Sequence, residues 1–233
     1  MLEPTSSAWM YAPAGRGTDP LMMRIGSAFQ EFVNRLERLQ VEYDLGCENI
    51  ISNISRVENA RLFVGQRGYD LVVLPPGTQN LNGPTVKILG QYLHNGGKLL
   101  SFVDAPGRVD GAHSGAVAQL ARQYASQWVA AASLESEPAG QLLRTGDYSG
   151  IEGKLFHQRR QLRDGQLLFF ANASLEQPAR ASGKIEGRQL LRLDPLHGKT
   201  YAFPASSSGK RLSYSLELPP GGSLLLLSAG KTA

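Results

Sequence analysis

The apolar residues of this chain change their spacing part-way along, and that change limits the fold more than any other feature. Up to about residue 150, continuous apolar runs alternate with stretches where apolar residues recur every three or four positions. From about Gly153 the period shortens to two, with turn residues between the runs. A chain of 233 residues has room for two cores. The boundary is predicted between Glu135 and Gly153, with an α/β domain over 1–145 and an all-β domain over 150–233.

In the first part, Asp19-Pro20 opens a helix, with Asp as N-cap and Pro where a missing N–H costs nothing. Leu21, Ile25, Ala28, Phe29, Phe32, Leu36 and Leu39 then paint one face to about residue 40. "VEYDL" reads as a short strand. Leu71-Val72-Val73-Leu74, closed by Pro75-Pro76-Gly77, reads as a strand covered on both faces. A helix from about Gly83 to Asn95, a strand in "KLLSFVDAPG" (98–107) and a helix from Ser114 to about Ala132 follow. Strand and helix in alternation imply right-handed crossovers and a parallel sheet. Only Met1-Leu2-Glu3 precede Pro4, so the first strand is nearly missing and the chain is expected to begin inside an element of something longer.

In the second part, "KLFHQRRQLRDGQLLFFANAS" reads as two strands joined at Arg163-Asp164-Gly165. Turns at Glu186-Gly187 and His197-Gly198, and a Pro-Pro-Gly-Gly turn before a closing apolar strand, complete the signature of a β-sandwich. The net charge of +4 is uneven: residues 1–150 carry 12 Lys/Arg against 14 Asp/Glu, and 151–233 carry 12 against 6. Most of these cations stand singly along alternating strands, as on a solvated sheet face, so nucleic acid is not expected as a partner. No apolar run reaches the roughly 18 residues of a membrane span. Cys47 stands alone, which leaves no internal disulfide and no thiolate metal cluster.

Reactive chemistry is hard to assemble from these residues. "PAGRGTDP" resembles a dinucleotide-binding turn only loosely, and the prolines of "PPGTQNLNGP" remove the backbone donors a phosphate would use. His94, His113, His157 and His197 are too scattered for a zinc site. No cofactor and no metal are expected. Asp44, Asp104 and Asp110 fall near strand ends, yet nothing in their spacing brings two together as a glycosidase requires.

"YDLVVLPPG", a helix, and then "GGKLLSFVDAPG" resemble the class I glutamine amidotransferase fold, in which such a turn carries a cysteine nucleophile. Here the turn carries Asp104-Ala105-Pro106, so the resemblance implies a scaffold without its reactive centre. A wider likeness covers nearly the whole chain. His157, Arg159, Arg160, Asp164, Gly165, Phe169, Phe170 and Asn172, then Asp194-Pro195 with Gly198, then "LELPPGGSLLLL", resemble the C-terminal region of large α-L-rhamnosidase-type glycoside hydrolases. "EPTSSAWMY", "VEYDL" and "YDLVVLPPG" resemble the flavodoxin-like region of the same enzymes.

The fold expected from both lines is α/β plus all-β: a three-layer parallel sheet of flavodoxin-like or class I amidotransferase-like type, then a small antiparallel β-sandwich. The resemblance implies a non-catalytic C-terminal portion of a glycoside hydrolase. Its partner would be an upstream catalytic barrel of the same polypeptide, about 250 residues for which this chain has no room. It also implies a carbohydrate ligand, no membrane partner, and a periplasmic or secreted setting. Sugar contacts would fall to Trp9, Tyr11, Asp44, Asp104, His157 and Arg159. The other reading of those residues is structural: Trp9 and Tyr11 pack in the loop after the first strand, Asp44 closes a turn, Asp104 forms a turn or caps a helix, and His157 with Arg159 ties a strand to a neighbouring loop. A stand-alone carbohydrate-binding or interaction module, and an amidotransferase-like hydrolase with an unusual nucleophile, are the alternative functions.

Overall fold

The computed structural model describes residues 1–12, 17 and 19–230. It divides into two compact units, Met1–Arg35 with Tyr43–Leu143, and Leu36–Glu42 with Arg144–Ala233.

The first stretch of chain forms α1 (Thr5–Trp9), α2 (Pro20–Arg38), α3 (Glu48–Ile54), β1 (Ser55–Glu58), β2 (Arg61–Val64), β3 (Arg67–Tyr69), β4 (Leu71–Leu74) and β5 (Asn80–Leu81). It continues with α4 (Gly83–His94), β6 (Lys98–Ser101), β7 (Arg108–Val109), β8 (Ala112–His113), α5 (Ala116–Gln123), β9 (Trp128–Ala130) and α6 (Glu137–Leu142). The caps agree with the residue types. The Asp19 carboxylate accepts from the Leu21 N–H at 2.7 Å to open α2, and the Asn82 side chain accepts from the Thr85 N–H at 2.7 Å to open α4. Leu74, Leu89, Tyr92, Leu93 and Leu99 are among the fully buried side chains of this unit. Each such leucine contributes roughly 1.5–3 kcal/mol by leaving water.

The chain does not build the expected three-layer parallel sheet of flavodoxin-like or amidotransferase-like type. It is mainly β, its sheets are small, and most pairing is antiparallel. Among the described residues, parallel pairing is limited to β4–β6–β9, to β5–β7, and to a single bridge between Leu2 and Gly46. Two local expectations fail with it, and one sheet appears that none foresaw. Val41 makes only an isolated bridge to Thr145, so "VEYDL" is not a strand. The helix expected to reach Ala132 stops at Gln123, because Trp128–Ala130 pair with Leu99–Ser101 instead. Residues 55–69 form an antiparallel three-stranded sheet that the apolar pattern did not announce. The glycine pattern of "PAGRGTDP" falls on Pro13–Arg16 and Thr18, which lie outside the described residues.

The second unit holds β10 (Tyr148–Glu152), β11 (Leu155–Gln161), β12 (Gly165–Asn172), β13 (Ala179–Glu186), β14 (Gln189–Asp194), β15 (Lys199–Ala202), β16 (Ser206–Ser208), β17 (Arg211–Leu218) and β18 (Ser223–Ala229). These make two antiparallel sheets, ordered β10-β13-β17-β16 and β11-β12-β18-β14-β15. β13 and β17 alternate strictly, sending Ala179, Ala181 and Ile185 and then Leu212, Tyr214, Leu216 and Leu218 inward. They meet Leu168, Phe170, Leu190, Leu224 and Leu226 of the other sheet in one core. The Asp164-Gly165 turn joins β11 to β12 as read.

Candidate functional site

β4 and β6 lie side by side in parallel, and the chain leaves both at the same end. Past β4, Pro75–Gly77 turns the chain. Gly77 sits at φ +87°, and a Cβ there would press on Ile25 at 3.2 Å, so both shape and space call for glycine. Thr78 Oγ1 closes this turn by donating to the Pro75 carbonyl at 2.8 Å. Past β6, Ser101 Oγ donates to the Val103 carbonyl at 2.7 Å, which bends the chain into Asp104-Ala105-Pro106. Between the two turns lies a crevice of about 380 Å³, bordered by Thr78, Gln79, Asp104, Pro106, Arg108 and His113.

Gln79, on its border, is tied into a buried polar network. Ser7 Oγ accepts from the Gln79 and Asn80 N–H groups at 2.9 and 3.0 Å, and Asn80 Oδ1 accepts from the Gly111 N–H at 2.8 Å. Glu48 Oε2 accepts from the Asn82 N–H at 2.7 Å, and its other oxygen accepts from Ser6. These bonds fix α1 against β5 and explain why the serines of "TSSAW" are turned inward.

The crevice rim presents donors and acceptors to solvent. Arg108 donates to the Gly111 carbonyl at 2.8 Å and to His113 Nε2 at 3.0 Å; a guanidinium cannot accept, so Nε2 is the acceptor. Asp104 is exposed and makes no hydrogen bond or ion pair among the described residues. Tyr11 donates its hydroxyl to Gln79 Oε1 at 2.7 Å, beside the rim. Trp9, the last residue of α1, is 60% exposed. Gln79, Arg108 and His113 belong to this rim and were not among the sequence candidates. Their signal was position alone, in the loops that follow strands of a parallel pair.

The other candidates lie elsewhere. Asp44 accepts from the Tyr69 hydroxyl at 3.0 Å, with Arg67 at 3.7 Å. Burial, reinforced by that carboxylate, pushes the Tyr69 phenol up to about 12. Asp110 accepts from the Gly83 N–H at 3.0 Å and helps to cap α4. Cys47 is the N-cap residue of α3.

His157 and Arg159 belong to the second unit, where they meet the segment 36–42. Arg159 donates to Glu42 Oε2 at 2.5 Å, and His157 Nε2 stands 3.7 Å from Glu42 Oε1. The Gln40 amide nitrogen donates to the carbonyls of Leu155 and Glu37, so its oxygen faces His157 and Nδ1 is the donor, at 2.7 Å. Burial raises the Glu42 carboxyl, but His157 and Arg159 outweigh it and bring it down to about 2. Tyr148 packs edge-on to the His157 ring at 4.8 Å, and burial pushes its phenol well above the ordinary range. Glu42 and Gln40 went unnoticed in the sequence, because a partner more than a hundred positions away leaves no local pattern.

No family model and no curated protein matches this chain. Among solved structures, a rhamnosidase from Novosphingobium sp. PP1Y aligns with a TM-score of 0.61 at 16% identity, over 84% of this chain and 20% of that one. An exo-carrageenase of the GH42 type from Bacteroides ovatus aligns at 0.43 and 13% identity, over 87% of this chain and 27% of that one. A GH42 β-galactosidase aligns at 0.41 and 10% identity, over 94% and 37%. This chain thus spans about a fifth of the rhamnosidase, and its fold is related to that of glycoside hydrolases.

Proposed function

We propose that this chain is a non-catalytic C-terminal portion of a glycoside hydrolase of the α-L-rhamnosidase type, supporting a catalytic barrel that lies outside it. The observation that carries the reading is the fold likeness over 84% of this chain to one fifth of a rhamnosidase. The chemistry of the crevice is consistent with it. Glycoside hydrolysis uses two carboxylates at a set separation, and the crevice is bordered by one acidic residue, Asp104. What the rim offers suits hydroxyl recognition: the Gln79 amide and Arg108 as donors, and Asp104 as acceptor.

In this reading the crevice completes the edge of a sugar cleft, and the barrel supplies turnover. The test compares hydrolysis of an aryl α-L-rhamnoside by the 233-residue chain and by the full product of its reading frame. The longer polypeptide is expected to turn over and the short chain is not. In the longer polypeptide, Asp104→Asn is expected to raise KM by about threefold to tenfold, with kcat little changed. An enzyme-like rate from the short chain overturns the proposal.

A further inference from the structure

The five-stranded sheet of the second unit carries apolar side chains on both faces, on its outer face along the three middle strands β12, β18 and β14. Leu168, Phe170, Leu190, Leu224 and Leu226 supply its core side. On the opposite face, Phe169, Leu225 and Leu193 stand directly across from one another on β12, β18 and β14, and Leu167, Leu227 and Leu191 form the next row. Phe169 is 42% exposed, and the other five are partly exposed. The partner sheet of the same unit behaves differently: its outward positions are Arg180, Ser182, Lys184, Ser213, Ser215 and Glu217, as expected where an antiparallel sheet meets water. One outer face is therefore built for solvent and the other is not.

We propose that this apolar face is an interdomain docking surface, covered by another domain of the parent polypeptide that meets it with an apolar centre and an acidic rim. This rests on the reading of the chain as a portion of a larger glycoside hydrolase. Five strands of four to eight residues, about 4.8 Å apart with residues about 3.4 Å apart, give a whole face of roughly 500 Å², with the apolar rows on its three middle strands. That falls short of the ~800 Å² per partner of a stable complex between separate molecules. Doubled, it lies within the roughly 600–1,500 Å² usual between domains of one chain. A covalent link supplies an effective concentration of about millimolar, which lets so small an interface hold.

Charge points the same way. Arg160, opposite Leu167 on the border of the patch, has no acidic partner among the described residues. Residues 151–233 carry 12 Lys/Arg against 6 Asp/Glu, so two copies facing each other would repel.

The experiment is hydroxyl-radical footprinting of the 233-residue chain and of the full product of its reading frame. In the longer polypeptide, Phe169, Leu225 and Leu227 are expected to oxidise about threefold or more slowly than in the short chain, which should sediment as a monomer. As a second measurement, Phe169→Glu with Leu227→Glu should leave the short chain folded and hasten proteolytic release of this unit from the longer one by about tenfold. Equal oxidation rates in a product that does contain further domains overturn the docking surface and leave the glycosidase reading standing. A reading frame that encodes no further domain overturns both. A short chain that dimerises, or whose patch is already protected, overturns the docking surface.

Discussion

Replacing Glu42 by Gln removes one negative charge while keeping the shape of the side chain, and it tests whether the Glu42–His157–Arg159 cluster holds the segment 36–42 in the second unit. The Glu42 carboxyl is brought from 4.5 down to about 2, with His157 and Arg159 overcoming the effect of burial. A shift of that size corresponds to roughly 3 kcal/mol of preference for the carboxylate in the folded state. Both Glu42 and Arg159 keep part of their surface in water, which screens the interaction and reduces the expected contribution to about 1–2 kcal/mol. The folded-state value lies below the unfolded one. The increment is therefore fully present above pH 4.5 and is lost as the pH falls from there through about 2.

The assay is hydrogen exchange of β11 and β12 peptides under increasing denaturant, for the wild type and Glu42→Gln at matched pH. Tryptophan emission serves as a control, because Trp9 and Trp128 both belong to the first unit. The expected gap is about 1–2 kcal/mol at pH 7, unchanged down to about pH 5 and nearly closed by about pH 2. Comparing the two proteins at each pH cancels the acid sensitivity they share. A gap that is the same at pH 7 and near pH 2 refutes the electrostatic argument, because a packing defect would not titrate. No gap at neutral pH refutes it equally.

The buried Asn172 side chain donates to the carbonyls of Gln177, Leu218 and Pro219 and accepts from the Ser174 N–H, so Asn172→Ala should destabilise the second unit by about 2–3 kcal/mol in denaturant unfolding. For the same reason its Asn-Ala-Ser sequon should stay unglycosylated in a folded secreted product, as mass spectrometry would show. On β18, Leu226→Ala should cost about 2–5 kcal/mol and Leu227→Ala less than about 1 kcal/mol, because only the first points into the core.

How much was legible follows from how local each cause is. Asp19-Pro20 marks a helix start through a bond that spans two residues and was visible as one, whereas α4 was read from about Gly83 without Asn82 being singled out as its cap. The two-residue turn at Asn59-Ala60, with both residues at positive φ, was not visible. Asn-Gly would have announced such a turn, whereas Asn-Ala hides it. The spacing of Val117, Leu120 and Tyr124 runs on into Trp128 at a helical interval, yet Trp128 lies opposite Leu99 in a sheet, a pairing fixed by residues nearly thirty positions away. The crevice beside Asp104 lies past the ends of two strands, where the reading of the sequence directed attention, but Gln79, Arg108 and His113 arrive there through turns that carry no signature of their own.

The closing strand "SLLLLSA" illustrates the deepest ambiguity. Four consecutive leucines erase the alternation that separates an inner face from an outer one, so the pattern identifies a strand and says nothing about which face is buried. Here the register decides: Leu224 and Leu226 turn to the core, and Leu225 and Leu227 line up with Phe169 and Leu167 on the other side. An antiparallel sheet that faced only water on that side would gain nothing from leucine at those positions and would risk association. That sequences place apolar residues on both faces chiefly where both faces are covered is a physical expectation. The leucine run is thus evidence about the surroundings in which this sheet works, read from residues the core itself does not need.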